Sequence, residues 1–269
     1  MTTPLSLAIA GAAGRMGRQL IASALTRGHA IVGATERADH PDAACDLGVL
    51  AGHAAIGRIA QTDVHAAAAD ASVWIDFTTP DVTLSALKAF TGTSVKAVII
   101  GTTGFTPDQA AEIEQHASTF AIVKAGNFSL GVAVLSALVR QAASALGEEW
   151  DIDIFEAHHR HKVDAPSGTA LMLAAAAADG RGAPLSDVQR APYDGPDAKR
   201  APGQIGFASS RTGGIIGEHE VRIGSETELI SLKHSALDRR VFAEGAVRAA
   251  EWAIAQPPGL YGIHDVLGM

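Results

Sequence analysis

Between Glu156 and Thr169 the chain reads Glu-Ala-His-His-Arg-His-Lys-Val-Asp-Ala-Pro-Ser-Gly-Thr, three imidazoles and two further cations within fourteen residues. Such a cluster of donors suits a substrate carrying two carboxylates. Lys162 or one of the histidines could then deliver the proton that completes a hydride addition. An imidazole titrates near working pH, whereas an amine in that role needs a depressed pKa or a direct proton path. Ser167-Gly168-Thr169 opens an Ala-rich stretch that reads as a helix, so backbone N–H groups there could hold a carboxylate. Ser167 could equally be a simple N-cap. A single histidine is more often a packing residue than a catalyst; the company these keep reverses that weighting. A metal site built from Glu156, His158, His159 and His161 is disfavoured. In an extended strand, residues 156 and 158 face one side and 159 and 161 the other, and Arg160 and Lys162 add positive charge. No metal is expected.

A second group of residues suits a dinucleotide. Gly11, Gly14 and Gly17, with Ala12, Ala13, Arg15 and Met16 between them, follow a short apolar run and precede a helical pattern. Missing Cβ atoms there let backbone approach a pyrophosphate at a helix N-terminus. The spacing departs from the commoner GxGxxG, and such glycines can also serve packing. Glu36 closes the next apolar run about 20 residues on, where a carboxylate accepts from ribose hydroxyls; Arg37 could face a 2′-phosphate instead, or form a surface ion pair. Gly101-Thr102-Thr103-Gly104 and Ala125-Gly126-Asn127-Phe128 end later apolar runs. They are candidates for the nicotinamide end, with Asn127 able to bond a carboxamide and Phe128 to pack on a ring. Both could be ordinary turns.

The elements that must position these groups alternate. Apolar runs at 5–10, 30–35, 73–77, 95–101 and 120–127 read as strands, with helical segments at 18–27, 83–90 and 107–118. That pattern predicts βαβ units and a doubly wound parallel sheet. After Asn127 the character becomes α+β: a helix over 130–146, a strand over 150–157, and a second helix after Gly168. A long, mobile, Pro- and Gly-rich connection over 180–206 follows, then strands at 218–223 and 228–234 whose alternation suits a sheet with one covered face, and a last helix over 242–255.

The bulk properties narrow the classes. In 269 residues, 47% are hydrophobic and 19% charged, which supports one large or two modest globular domains. The net charge of -8 and the lack of a Lys/Arg cluster exclude a non-specific nucleic-acid binder. Cys45 is the only cysteine, so no intrachain disulfide forms. No apolar stretch spans a membrane, and no leader pattern opens the chain, so a cytoplasmic protein is expected.

Gly11 to Gly17, Asp76-Phe-Thr, Gly101 to Gly104, the segment from Glu156 to Thr169, Gly217-Glu-His-Glu-Val221 and the Phe242 to Trp252 segment together resemble the 4-hydroxy-tetrahydrodipicolinate (dihydrodipicolinate) reductase family along essentially the whole chain. The resemblance implies a Rossmann-like domain over 1–128 with 240–269, and a substrate and oligomerisation domain over 129–239, with closure between them assembling the site. It implies NADH- or NADPH-dependent reduction of a small cyclic dicarboxylate with loss of water, without a metal, in a homotetramer. By position, His158 matches the family's proton donor/acceptor and Lys162 its proton donor. His159, Gly168 and Thr169 match substrate contacts. Gly11 to Met16, Glu36, Arg37, Gly101 to Thr103 and Ala125 to Phe128 match the cofactor set. Gly126 and Asp238 depart from the family pattern, which leaves cofactor preference open. Competing readings are another amino-acid-pathway dehydrogenase, which lacks the His-rich segment, and a non-catalytic NAD(H) sensor. A metal-dependent hydrolase would be sensitive to chelators.

Overall fold

The computed structural model describes residues 3–269 except 191, 194, 195 and 197. In chain order the elements are β1 (Ser6–Ala10), α1 (Arg15–Thr26), β2 (Ala30–Thr35), α2 (Leu47–Leu50), α3 (Val64–Ala68), β3 (Val73–Asp76), α4 (Pro80–Ala89), β4 (Ala97–Ile100), α5 (Pro107–His116) and β5 (Ala121–Lys124). Then come α6 (Leu130–Ala145), β6 (Asp151–His158), α7 (Gly168–Gly180), α8 (Leu185–Val188), β7 (Ile205–Arg211), β8 (Glu218–Gly224), β9 (Leu229–Ser235), α9 (Arg240–Ala253), β10 (Gly259–Tyr261) and α10 (Ile263–Val266). They form two compact units: the chain up to Ser129 together with Arg240–Met269, and Leu130–Arg239.

The first unit is built on a six-stranded sheet in the order β10-β5-β4-β3-β1-β2, with every pairing parallel. Parallel strands are covered on both faces, which explains why β3 (Val-Trp-Ile-Asp) and β4 (Ala-Val-Ile-Ile) are buried at every position. Trp74, Leu84, Leu87, Phe90, Val98, Ile113 and Ile122 join one apolar cluster between the sheet and helices α4 and α5. Because β2 and β3 flank β1 on opposite sides, the strand order reverses at the carboxyl ends of β1 and β3, where open α/β sheets bind ligands. Helix α5 starts where the sequence puts Thr-Pro-Asp-Gln: Thr106 and Gln109 close a reciprocal capping box with Pro107 in the first turn.

The second unit holds a mixed sheet in the order β7-β6-β8-β9, with β6 parallel to β7 and antiparallel to β8. Helices α6 and α7 pack together and cover one face, where Leu135, Val139, Leu173, Ile152, Ile154, Val221 and Ile223 form the core. Alternation along β6 buries Ile152, Ile154, Glu156 and His158 in phase, so its carboxylate and imidazole continue a row of core aliphatics.

The doubly wound sheet and the α+β second part agree with the sequence reading, but several boundaries differ. The first helix begins at Arg15, a turn before the apolar pattern shows it. The connection over 180–206 is partly structured, since α8 lies in it and residue 189 bridges to Ile205. Arg200 anchors its end to Asp151 and Asp153 at 2.7 and 2.9 Å and to the Gln204 carbonyl. Residues 191, 194, 195 and 197 of that connection lie outside the described residues. Strand β7 begins where the connection was expected to continue, and β10 occupies the expected tail. Among the described residues no helix is long and apolar enough to cross a membrane.

Candidate functional site

In the first unit the glycine turn sits at the carboxyl end of β1. Gly11 has φ +63°, a conformation that favours glycine, and a Cβ on it would stand 3.1 Å from the Thr78 methyl. A Cβ on Gly17 would fall 2.2 Å from the Gly11 carbonyl oxygen, so α1 packs against the turn only without a side chain there. Helix α1 begins with neither a side-chain cap nor an acid in its first turn, which suits an anion at its N-terminus. The Ala12, Ala13 and Gly14 amides are engaged within the protein. Ala12 N–H donates to the Thr35 carbonyl, Ala13 N–H to Glu36 Oε2 at 3.0 Å, and Gly14 N–H to the Gly11 carbonyl. The amides of this turn left to face an anion are therefore those of Arg15 and Met16, later than the sequence suggests. Glu36 also accepts from Arg37 N–H at 2.9 Å, so backbone fixes both carboxylate oxygens. Gly11, Glu36, Arg37, Thr62, Val64, Thr78, Thr79 and Val82 line a cavity of about 650 Å³. The bare glycines, the uncapped helix and the acid beside this cavity fit a dinucleotide.

The two later turns are held from below. Asp76, fully buried, accepts from the Thr78 amide at 3.0 Å and hydroxyl at 2.6 Å and from the Thr102 hydroxyl at 3.2 Å. The Thr102 hydroxyl, a candidate for the cofactor, thus points inward, and Thr83 also donates to it at 3.0 Å. Gly126 stands 3.9 Å, measured from its missing Cβ, from the Thr103 methyl, so the 101–104 and 125–128 turns adjoin. Asn127 Oδ1 accepts from Ser129 N–H at 2.8 Å. The Phe128 ring is buried against Phe77, centroids 5.3 Å apart, and is not available to a cofactor ring; only its backbone lies at the turn. An aromatic after a polar turn carries no sign of which way it faces.

In the second unit β6 ends at His158, and a turn follows in which Lys162 N–H donates to the His159 carbonyl. The strand does not continue to 161, as the extended-strand argument assumed; the His159 and His161 rings instead lie 6.3 Å apart. His158 Nδ1 meets Glu156 Oε2 at 2.6 Å. Glu156 is also gripped by Arg211, whose two terminal nitrogens donate to its two oxygens at 2.8 and 2.7 Å. Ser167 N–H reaches Glu156 Oε1 at 3.3 Å. Burial raises the Glu156 carboxyl, but the hydrogen bonds from Arg211, Ser209 and His158 outweigh it and hold the group at about 2. Ser167 is the N-cap of α7, accepting from Ala170 N–H, and its hydroxyl lies 3.0 Å from His219 Nε2. Burial and the neighbouring His158 push His219 down to about 4. Gly168 is exposed and Thr169 half-buried at the start of α7, whose first turn holds no acid. Lys162 Nζ pairs with Asp164 at 2.7 Å. Burial, with Arg239 and the neighbouring histidines and Lys162, lowers the pKa of His159, which places a further cation beside this turn.

Four contributors escaped the sequence reading. Arg211 lies on β7, which the Pro- and Gly-rich connection masked. Asp76 and Glu156 were quoted in motifs without these roles. His219 was legible in principle, being in phase with Val221 and Ile223 along β8. Among the described residues no three or more His, Cys, Asp or Glu side chains are grouped to hold a metal ion.

A Rossmann-type unit interrupted by an α+β insertion with a buried histidine–carboxylate pair is the build of a nucleotide-dependent oxidoreductase. Residues 5–128 match the N-terminal and residues 131–267 the C-terminal domain of dihydrodipicolinate reductase, and the chain belongs to that family. The protein named 4-hydroxy-tetrahydrodipicolinate reductase from Parvibaculum lavamentivorans is 48% identical over 271 residues, covering 100% of each chain. Its namesake from Caulobacter vibrioides is 46% identical, over 100% of this chain and 99% of the relative. A solved dipicolinate-bound dihydrodipicolinate reductase from Paenisporosarcina sp. TG-14 shares the fold with a TM-score of 0.75 at 24% identity, over 98% of this chain and 99% of that one.

Proposed function

We propose that this chain is the NADH- or NADPH-dependent reductase that converts (2S,4S)-4-hydroxy-2,3,4,5-tetrahydrodipicolinate to (S)-2,3,4,5-tetrahydrodipicolinate with loss of water, in lysine and diaminopimelate biosynthesis. The observation that carries this reading is the end of β6. There His158, backed by a buried carboxylate, adjoins both the Lys162 turn and the α7 N-terminus.

A bound reduced nicotinamide nucleotide supplies the hydride. The Arg15 and Met16 amides would hold its pyrophosphate, Glu36 would accept from the ribose hydroxyls, and the exposed Arg37 would take a 2′-phosphate. The turns at Gly101 to Thr103 and Ala125 to Phe128 offer backbone groups and the Asn127 amide to the nicotinamide end. His159, the Gly168 and Thr169 end of α7 and the cationic turn hold the substrate carboxylates in a near-attack pose. Loss of the ring hydroxyl as water leaves a conjugated imine. One ring carbon then accepts hydride and its neighbour a proton, with Lys162 as proton donor and His158 exchanging protons through Nε2. Asp164 holds the Lys162 ammonium until substrate carboxylate replaces it.

A cytoplasmic homotetramer completes the reading. It is supported by the family relationship and by the second sheet, of which α6 and α7 cover one face while Phe155, Ala157, Ser209, Glu220 and Lys233 line a hollow of about 230 Å³ on the unit's surface. Light scattering on the purified protein checks the oligomer.

Oxidation of NADH and NADPH with substrate made by a coupled synthase tests the function. Turnover by the wild type, reduced about 100-fold or more in His158→Ala and Lys162→Ala with NADH still bound, is the expected result. No wild-type oxidation would sink the reductase reading in favour of a sensor.

A further inference from the structure

Of the groups around His158, Glu156 is the one whose chemistry is fully specified by its neighbours. Its side chain is 1% exposed, and its two oxygens receive Arg211, Ser167 N–H and His158. A carboxylate saturated by a bidentate guanidinium stays ionised, and an ionised carboxylate only accepts hydrogen bonds. The His158 nitrogen facing it at 2.6 Å therefore carries a hydrogen.

We propose that Glu156, locked by Arg211, is a positioning residue that fixes His158 as the Nδ1–H tautomer, leaving Nε2, opposite the bare Cα of Gly217, as its only proton-exchanging nitrogen. The inference rests on the reductase reading for its kinetic consequences. The pKa of about 2 at Glu156 agrees with permanent ionisation. Gly217 fits the same geometry: a Cβ there would stand 3.2 Å from His158 Nε2 and crowd the site of proton transfer. His219, whose ring meets His158 edge-on at 5.1 Å, is a poor proton acceptor, because burial holds its pKa down at about 4 and its Nε2 is engaged with Ser167. Arg211 also donates to the Asp164 carbonyl at 2.6 Å, so the pair underlies the Lys162 turn as well. The same carboxylate thus orients the imidazole, steadies the α7 N-cap and braces the lysine turn.

The test uses the full-length enzyme and two variants. Glu156→Gln presents an amide that can turn its N–H₂ toward Nδ1 and reverse the tautomer. It should lower kcat by about 100-fold or more while the KM for substrate and the affinity for NADH change by less than about 3-fold. Gly217→Ala keeps the carboxylate pair and should lower kcat about 10-fold through crowding at Nε2 alone. Heteronuclear NMR of histidine-labelled enzyme should show an Nδ1–H His158 in the wild type and in Gly217→Ala. Wild-type kcat in Glu156→Gln, or a neutral His158 protonated at Nε2 in the wild type, overturns the assignment. The NMR result requires no turnover, so it decides this inference even where Glu156→Gln fails to fold or the substrate proves to be different. Failure of wild-type turnover would count against the reductase reading alone.

Discussion

The Thr78 hydroxyl donates to Asp76 Oδ1 across 2.6 Å beneath the turn that follows β3, and the Thr102 hydroxyl reaches the same oxygen from the turn that follows β4. One buried carboxyl oxygen therefore joins two of the loops that frame the candidate cofactor site, and Thr78 in turn abuts Gly11.

Burial raises the Asp76 pKa, and the hydrogen bonds from Thr78 offset this only in part. Ionising an acid whose folded pKa is raised costs stability, so stability falls as pH rises from the ordinary value through the raised one. Asp76→Asn keeps the accepting oxygen and removes that penalty. It should be as stable as wild type or more so at neutral pH, with a flatter pH dependence. Asp76→Ala strands the donors and should cost roughly 2–4 kcal/mol. Urea denaturation across pH separates the two variants, and equal losses would refute the argument.

Glu36 is fixed by two backbone amides beside the cavity at the end of β2. Glu36→Ala should weaken NADH binding by about 10- to 100-fold, the worth of charge-assisted hydrogen bonds to the ribose, and NADPH binding by much less. Fluorescence titration with each nucleotide reads this directly. Parallel losses would place the ribose elsewhere.

The Glu156 and Arg211 pair should dominate the acid stability of the second unit. A carboxyl held at about 2 contributes its full stabilisation above the ordinary value of 4.5 and loses it as pH falls from there towards 2. Arg211→Met leaves a buried charge without its partner and should cost about 3–5 kcal/mol. Adding Glu156→Gln to it should recover part of that loss. A double-mutant cycle by denaturant unfolding measures the coupling, and strictly additive effects would contradict it.

Glu251 on α9 accepts a bidentate pair from Arg27 at 2.9 and 2.6 Å and meets the buried His29 at 2.9 Å; His29 Nδ1 in turn accepts from Leu5 N–H. Burial raises the Glu251 pKa, but these partners outweigh it and depress the group. Its contribution is therefore present above the ordinary 4.5 and disappears as pH drops below it. Glu251→Gln should lower the melting temperature at pH 7 and narrow the gap to wild type at acid pH. A gap that stays constant with pH would show that charge plays no part.

The alternating strands and helices of the first unit were legible because each buried parallel strand is a short apolar run closed by a turn. The His-rich segment was legible because few structural needs place so many cations together. What escaped shares one physical cause: partners distant in sequence. Arg211 means nothing until β7 lies beside β6, and Phe128 turns inward only because Phe77 is there to receive it. The early start of α1 was hidden because Gly14 caps it through backbone alone.

The first unit is assembled from two stretches, the chain up to Ser129 and the residues from Arg240 on. Helix α9 packs on α1, Gly245 lies so near Phe128 that a Cβ would stand 1.7 Å from its carbonyl oxygen, and β10 adds the last strand to β5. During synthesis, then, the part made first waits longest. The ribosome must deliver a whole intervening unit before the nucleotide fold can close its sheet edge and bury the outer face of β5. Truncation near the C-terminus would damage the portion of the protein that was translated at the start.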